Sequence, residues 1–352
     1  MASYRRVIWL LLALTCSQWP QSIAAEPTPS KPTPPDEQST EGVPFEAGLM
    51  FHGPPSTWRT QTSGGVQLWA DELCFHDWRI QRNVLLGHYR LLDGGNHRYA
   101  RGSFEHCQQK LNEIKRERNL PPMKGRAVVM LHGLGSWRNK MTPLADYLKE
   151  NGNYAVFNLA YPSTRGEIAE HSRCLAKVME HLDGIDEINF VAHSMGNLVV
   201  RHYLADVTDE AIGRKPDPRI KRFVMLAPPN HGASAALMLK DHELLSLLMG
   251  SSASELGIGW AEVEKHLAIP NCEFGIIAGG RGRERGYNPL MEGDNDDLLP
   301  VTTTRLVGAR DFVLVPIIHQ FEMFDADVQR YTLSFLKHGY FISADKRQPV
   351  EK

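Results

Sequence analysis

Ile188-Asn-Phe-Val-Ala-His-Ser-Met-Gly-Asn-Leu-Val-Val200 is the stretch whose reading decides the fold. Ile188 to Ala192 is a short, mostly apolar run of strand type. It passes through a turn at Ser194 straight into a helical pattern of Leu198, Val199, Tyr203 and Leu204. Ala192 stands two residues before the serine and Gly196 two after it. So sharp a strand-to-helix corner needs small residues on both sides, because larger side chains would meet neighbouring backbone. It lifts the serine to the top of a sheet, beside the N–H groups and positive dipole of a helix start.

Five further apolar runs share the strand character of 188–192. They are Ala127–Leu131, Tyr154–Leu159, Phe223–Ala227, Phe274–Ala278 and Phe312–Val315. Continuous apolar runs bounded by Gly, Pro or Asn fit strands covered on both faces. Between the second and third lie Ile168, Leu175, Val178, Met179 and Leu182 at helical spacing, and Val328, Tyr331, Leu333 and Leu336 mark a closing helix before Gly339. Strand–helix alternation predicts an α/β fold, with a mostly parallel central sheet flanked by helices. Ligands then bind at the carboxyl ends of the strands.

A serine nucleophile needs a base and a group to orient that base. His319, in Pro316-Ile-Ile-His319, follows the last strand and precedes the closing helix, where a base can descend from a loop. His231, His242, His266 and His338 are less well placed. The orienting acid falls in Gly293-Asp-Asn-Asp-Asp-Leu-Leu-Pro300, where Asp294, Asp296 and Asp297 compete and Asp296 is favoured. Leu131-His-Gly-Leu-Gly135 follows the first strand, and its glycines let the backbone aim an N–H at a reacting carbonyl. The expected oxyanion donors are the backbone N–H groups of Leu134 and Met195, with His132 bracing the loop.

Taken in order with Leu226-Ala-Pro-Pro-Asn-His-Gly-Ala233, these segments resemble the α/β-hydrolase superfamily, and within it the lipase-like serine esterases. The resemblance implies an α/β-hydrolase fold over 126–342. It also implies hydrolysis of carboxylic esters through an acyl-enzyme on Ser194, with His319 as base and Asp296 orienting it. An acyltransferase or a thioesterase would use the same machinery, and a non-catalytic binding protein would lack one of its members. The chain departs from the pattern at Ala192, where Gly is usual, and at Asn197, where many members continue with a second Gly. It departs again at Asp297, where Gly commonly follows the acid.

The remainder divides by composition. Arg5 and Arg6, the apolar run Val7–Leu14 and the small residues Ser22, Ala24 and Ala25 predict a signal peptide over 1–25 and an exported protein, periplasmic or secreted. The run is about half the ~20 residues that span a bilayer, so a membrane-tethered form is the weaker alternative. Cys16 adds the alternative of a lipid anchor. Residues 26–44 hold Pro27, Pro29, Pro32, Pro34, Pro35 and Pro44 and read as an extended linker. Residues 45–125 read as an N-terminal arm that adds edge strands and a helix to the sheet; Trp78–Asn83 and His88–Leu92 flank a hairpin, and Phe104, Cys107, Leu111 and Ile114 share a helical face. Leucine-rich 233–269 breaks the strand–helix rhythm and reads as a lid over an acyl pocket or as an ordinary crossover helix.

With 39 Lys+Arg against 41 Asp+Glu among 352 residues, no single-signed field is available to draw in nucleic acid. A small-molecule or lipid ester is the expected substrate, with peripheral contact at a lipid surface. Cys74, Cys107, Cys174 and Cys272 of the mature chain allow three pairings, of which Cys74 with Cys107 is favoured, and all four as buried thiols is the alternative. No two cysteines show the C-x-x-C spacing of a zinc site, so no metal is expected. The acyl-transfer chemistry requires no cofactor.

Overall fold

The six apolar runs form six strands that lie side by side. In a computed structural model they are β6 (Gly125–Leu131), β7 (Ala155–Asn158), β8 (Ile185–His193), β9 (Ile220–Leu226), β10 (Glu273–Gly279) and β11 (Asp311–Val315). The structure describes residues 60–61, 67–207, 216–232, 255–256 and 259–351. The strand order is β11-β10-β9-β8-β6-β7, and every pairing is parallel. Parallel strands need crossovers, and helices supply them on both faces. The crossovers include α2 (Thr142–Gly152), α3 (Ile168–Glu180) and α4 (Gly196–Val207), and α7 (Ala326–His338) packs on the sheet after the last strand. Strand residues therefore alternate between two buried layers. Val129, Leu131, Phe190, Phe223 and Ile276 pack on one side, and Val128, Met130, Val191, Val224 and Ile277 on the other.

From β6 the chain moves outward to β7, then returns across β6 to β8 and continues the other way. The connections leaving β6 and β8 thus diverge, which opens a crevice above their carboxyl ends. Leu131–Gly135 and His193–Gly196 meet at that point.

The N-terminal region corrects the expectation of added edge strands. Residues 60–102 build a separate five-stranded antiparallel sheet in the order β1-β5-β4-β3-β2. Its strands are β1 (Thr60–Gln61), β2 (Trp69–Phe75), β3 (Trp78–Asn83), β4 (Tyr89–Leu92) and β5 (His97–Gly102). Short turns let β2, β3, β4 and β5 each pair with the next at little loop-closure cost, and β1 pairs with β5. The expected hairpin is the β3–β4 pair, and the expected helix is α1 (Phe104–Glu117), capped by Ser103 and burying Cys107, Leu111 and Ile114.

One backbone bond joins the two sheets, from Asp71 N to Ala160 O (2.9 Å), just beyond β7. Buried acids reinforce it. Asp71 accepts from Gln81 (2.7 Å) and from the Ala160 amide (2.6 Å), and Glu72 accepts from Arg82 and from Lys177 of α3, both at 2.7 Å. Sheet and body lie within one compact unit, Pro54–Lys352.

The expected Cys74–Cys107 disulfide is absent. All four cysteines from Cys74 onward are free thiols, three of them buried, as in the alternative reading. The predicted signal peptide, the linker, most of residues 45–66 and most of the 233–269 stretch lie outside the described residues. The described end of that stretch is held to the body. In it, α5 (Trp260–Lys265) buries Val263, and Arg201 of α4 exchanges two backbone-directed bonds with Ala268 (2.9 and 3.2 Å). Among the described residues no helix is long and apolar enough to cross a membrane.

Candidate active site

Ser194 takes φ +53°, in the left-handed region that costs a non-glycine residue about 1–2 kcal/mol. The turn is held in place from several directions. The Ser194 amide donates to Leu226 O (2.9 Å), and Asn197 Nδ2 donates to Ser194 O (2.9 Å) and to Leu226 O (3.1 Å). Asn197, which departs from the family pattern, thus fastens the corner to β9. The small residue after the serine is obligatory: a Cβ on Gly196 would stand 2.7 Å from His132 O and 2.8 Å from Leu131 O. Ser194 itself is half-buried between fully buried neighbours.

The loop after β6 approaches the serine closely. A Cβ on Gly133 would lie 2.9 Å from Ser194 Cβ. His132 is buried, donates from Nδ1 to Gly133 O (3.0 Å) and stacks on Tyr161 at 4.3 Å between ring centres. The Tyr161 hydroxyl donates to His132 O. Burial pulls the His132 imidazole down to about 4, so it is neutral at ordinary pH and suits a bracing role. Leu134 and Met195 occupy the two segments that face each other here, Leu134 half-buried and Met195 buried.

Opposite, His319 begins a 3-10 turn (His319–Phe324) that follows β11. Its Nδ1 donates to Asp296 Oδ2 at 2.7 Å, and its amide donates to Asp296 O at 2.8 Å. The two residues are joined through both side chain and backbone. The other Asp296 oxygen accepts from the amides of Leu298 (3.0 Å) and Leu299 (2.7 Å), which holds the carboxylate in one orientation although it is fully buried. The three aspartates are therefore distinct. Asp294 accepts from the amides of Arg281 and Gly282 and shapes the loop after β10. Asp297 is half-buried at φ +90°, and burial followed by the neighbouring Asp296 charge pushes its carboxyl up. Only Asp296 among them bonds to His319.

Two residues were not singled out by sequence. His193 donates from Nε2 to His319 O at 2.9 Å, leaving buried Nδ1 without a partner, and burial holds its imidazole well below the usual histidine range. Glu322, one turn after His319, is fully buried, and neither carboxyl oxygen has a hydrogen-bond partner. A residue between strand and serine, or inside a one-turn helix, gives no sequence signal of such contacts. Among the described residues no group of three or more His, Cys, Asp or Glu is arranged to hold a metal ion.

Residues 126–247 match the family described as alpha/beta hydrolase fold. No curated protein matches the chain. Among solved structures, the lin2722 gene product of Listeria innocua is 16% identical, covering 61% of this chain and 95% of its own, with a TM-score of 0.43. The mature lipase BlEst2 of Bacillus licheniformis is 17% identical, with 60% and 89% covered and a TM-score of 0.42. Est1E of Butyrivibrio proteoclasticus is 17% identical, with 62% and 91% covered and a TM-score of 0.41. The family match begins at the first parallel strand and runs through the serine turn, so this part of the chain is similar to the alpha/beta hydrolase fold.

Proposed function

We propose that the chain is a serine hydrolase of carboxylic esters, lipase- or esterase-like. The observation that carries this reading is the 2.7 Å contact of His319 Nδ1 with buried Asp296, on the loop that His193 ties to the serine turn. Ser194 Oγ attacks the ester carbonyl as His319 Nε2 takes its proton. Asp296 keeps Nδ1 protonated and stabilises the imidazolium that forms. The N–H groups of Leu134 and Met195 hold the oxyanion. Collapse of this intermediate breaks the ester C–O bond, and His319 returns the proton to the departing alcohol. Water, deprotonated by His319, then attacks the acyl-enzyme and releases the acid and free Ser194.

Exposed Leu298, Phe321 and Phe324 stand on the segments that supply Asp296 and His319, which favours a substrate with an apolar acyl part. A fluorophosphonate probe tests the nucleophile. Wild type should label and Ser194→Ala should not, and Ser194→Ala should lose about 10⁴-fold or more in kcat/KM on p-nitrophenyl esters. Folded wild type that neither labels nor turns over any ester in a C2–C16 series, chain lengths spanning roughly the usual acyl range, would refute the reading.

A further inference from the structure

The backbone N–H groups of Leu134 and Met195 meet no acceptor among the described residues, so both stand ready for an oxyanion. One turn determines how the first of them is aimed. Gly133 O accepts from His132 Nδ1 (3.0 Å) and from the Ser136 amide (3.3 Å), and Gly135 takes φ +66° inside the turn. Gly133 C=O and Leu134 N–H belong to one planar trans peptide unit and point opposite ways. Holding the carbonyl therefore aims the N–H. The start of the turn is fixed by Tyr161, whose hydroxyl donates to His132 O. Its end is fixed by Gln67, whose Nε2 donates to Ser136 O at 2.8 Å across 69 positions of sequence.

Gln67 stands just before β2 at φ +64°, a left-handed conformation that a non-glycine residue adopts only at a cost in free energy. Its Nε2 also donates to Ser163 Oγ (3.1 Å), and its Oε1 accepts from the Thr164 amide (2.8 Å) and the Thr164 hydroxyl (2.9 Å). Both N–H groups and both oxygen lone pairs of the side-chain amide are thus used, and its orientation is unambiguous: only the NH₂ end can meet the Ser136 carbonyl. Further along, Asp71 bonds Ala160 through both backbone and side chain. The edge strand of the N-terminal sheet is therefore held along residues 160–164 and delivers Gln67 to the turn.

We propose that Gln67 is a positioning residue, through which the N-terminal sheet holds the turn 133–136 and aims the Leu134 N–H at the oxyanion. This assignment rests on the reading of Ser194 as nucleophile and Leu134 as oxyanion donor.

The test compares the full chain with Gln67→Glu and Gln67→Leu, using a p-nitrophenyl ester and an aryl trifluoromethyl ketone. Ser194 Oγ adds to the ketone carbonyl, His319 takes the serine proton, and the carbonyl oxygen becomes a bound oxyanion. Gln67→Glu keeps the size and an acceptor for Thr164, but it turns an acceptor-only oxygen toward Ser136 O. Gln67→Leu can form none of the four bonds. Each should lower kcat about 10- to 100-fold with KM nearly unchanged, as a displaced oxyanion donor does. Ketone affinity should fall by the same factor as kcat/KM, because both report on the tetrahedral oxyanion. The acid limb of the kcat/KM profile should stay in place in Gln67→Leu, because Asp296 and His319 are untouched. Three results overturn the proposal: wild-type kcat in both variants, a fall in kcat with ketone affinity unchanged, or a displaced acid limb in Gln67→Leu. If Gln67→Leu does not fold, Gln67→Glu decides. Wild type that turns over no ester and binds no ketone refutes the ester-hydrolase reading and this role with it, whereas active wild type with unaffected variants refutes this role alone.

Discussion

Asp296 and Asp297 are adjacent, chemically identical and differently employed. Asp296 accepts two backbone amides and the His319 ring, whereas the Asp297 side chain has no bond to that ring. Asp296→Asn should therefore drop kcat by about 10⁴-fold, because the amide cannot hold the imidazole in the tautomer it needs. Asp297→Asn should stay within about threefold of wild type, as expected for a group outside the reacting set. Steady-state kinetics on one ester settles both, and a reversed ranking would move the acid by one position. Sequence narrowed the acid to one loop and favoured Asp296, but the choice among the three depends on which carboxylate the backbone turns inward. Glu322 gave no signal at all, because burial beside another acid is created by packing and not by any local pattern.

At the scale of elements, the site is held by the ends of strands and starts of helices. The turn bearing His319 leads directly into α7, whose N-cap is Asp325. Its Oδ1 accepts from the amides of Asp327 (2.9 Å) and Val328 (3.0 Å). Gly339 closes the helix at φ +73°, and its amide donates to Phe335 O. Asp325→Ala should cost about 1 kcal/mol, read as a lower urea midpoint at unchanged slope, and Asp325→Asn should retain most of it. The six parallel strands and these helices were legible because each is a continuous apolar run or a 3.6-residue stripe. The placement of the N-terminal strands was not. The hairpin of β3 and β4 is legible, but whether the strands here extend the parallel sheet or pair among themselves depends on turn geometry and on the buried contacts of Asp71 and Glu72.

At the scale of the molecule, several buried titratable groups set how stability follows pH. Burial holds His132 down to about 4 and His171 to about 3, and it holds His193 well below the usual 6.5. The unfolded chain protonates these three as pH falls through 6.5, while the native protein does not. They therefore contribute full stability above that pH and lose it progressively below. Glu322 acts in the opposite sense. Its carboxyl is held well above the usual 4.5, so the native protein keeps a proton that the unfolded chain releases, and stability falls as pH rises beyond 4.5. Near pH 6 the three histidines outweigh the one acid, so stability rises with pH there. Once the histidines are neutral in both states, the opposite trend of the acid remains. Urea unfolding across pH 5–8 should place maximal stability near the histidine value of 6.5, and Glu322→Gln should flatten the alkaline side. A wild-type curve rising monotonically to pH 8 would contradict this account.

Local chemistry determined the parallel α/β core, the serine turn and the position of His319. Each follows from apolar periodicity, from the small residues flanking Ser194 and from a histidine placed after the last strand. Only the tertiary structure decided which aspartate meets His319, that Asn197 and His193 tie the serine turn to its neighbours, that the N-terminal strands form a sheet of their own, and that a second acid lies buried behind the first. Those features are contacts between residues far apart in the chain. Their energies arise when water is excluded and backbone amides and carbonyls converge on one point, which no single segment specifies.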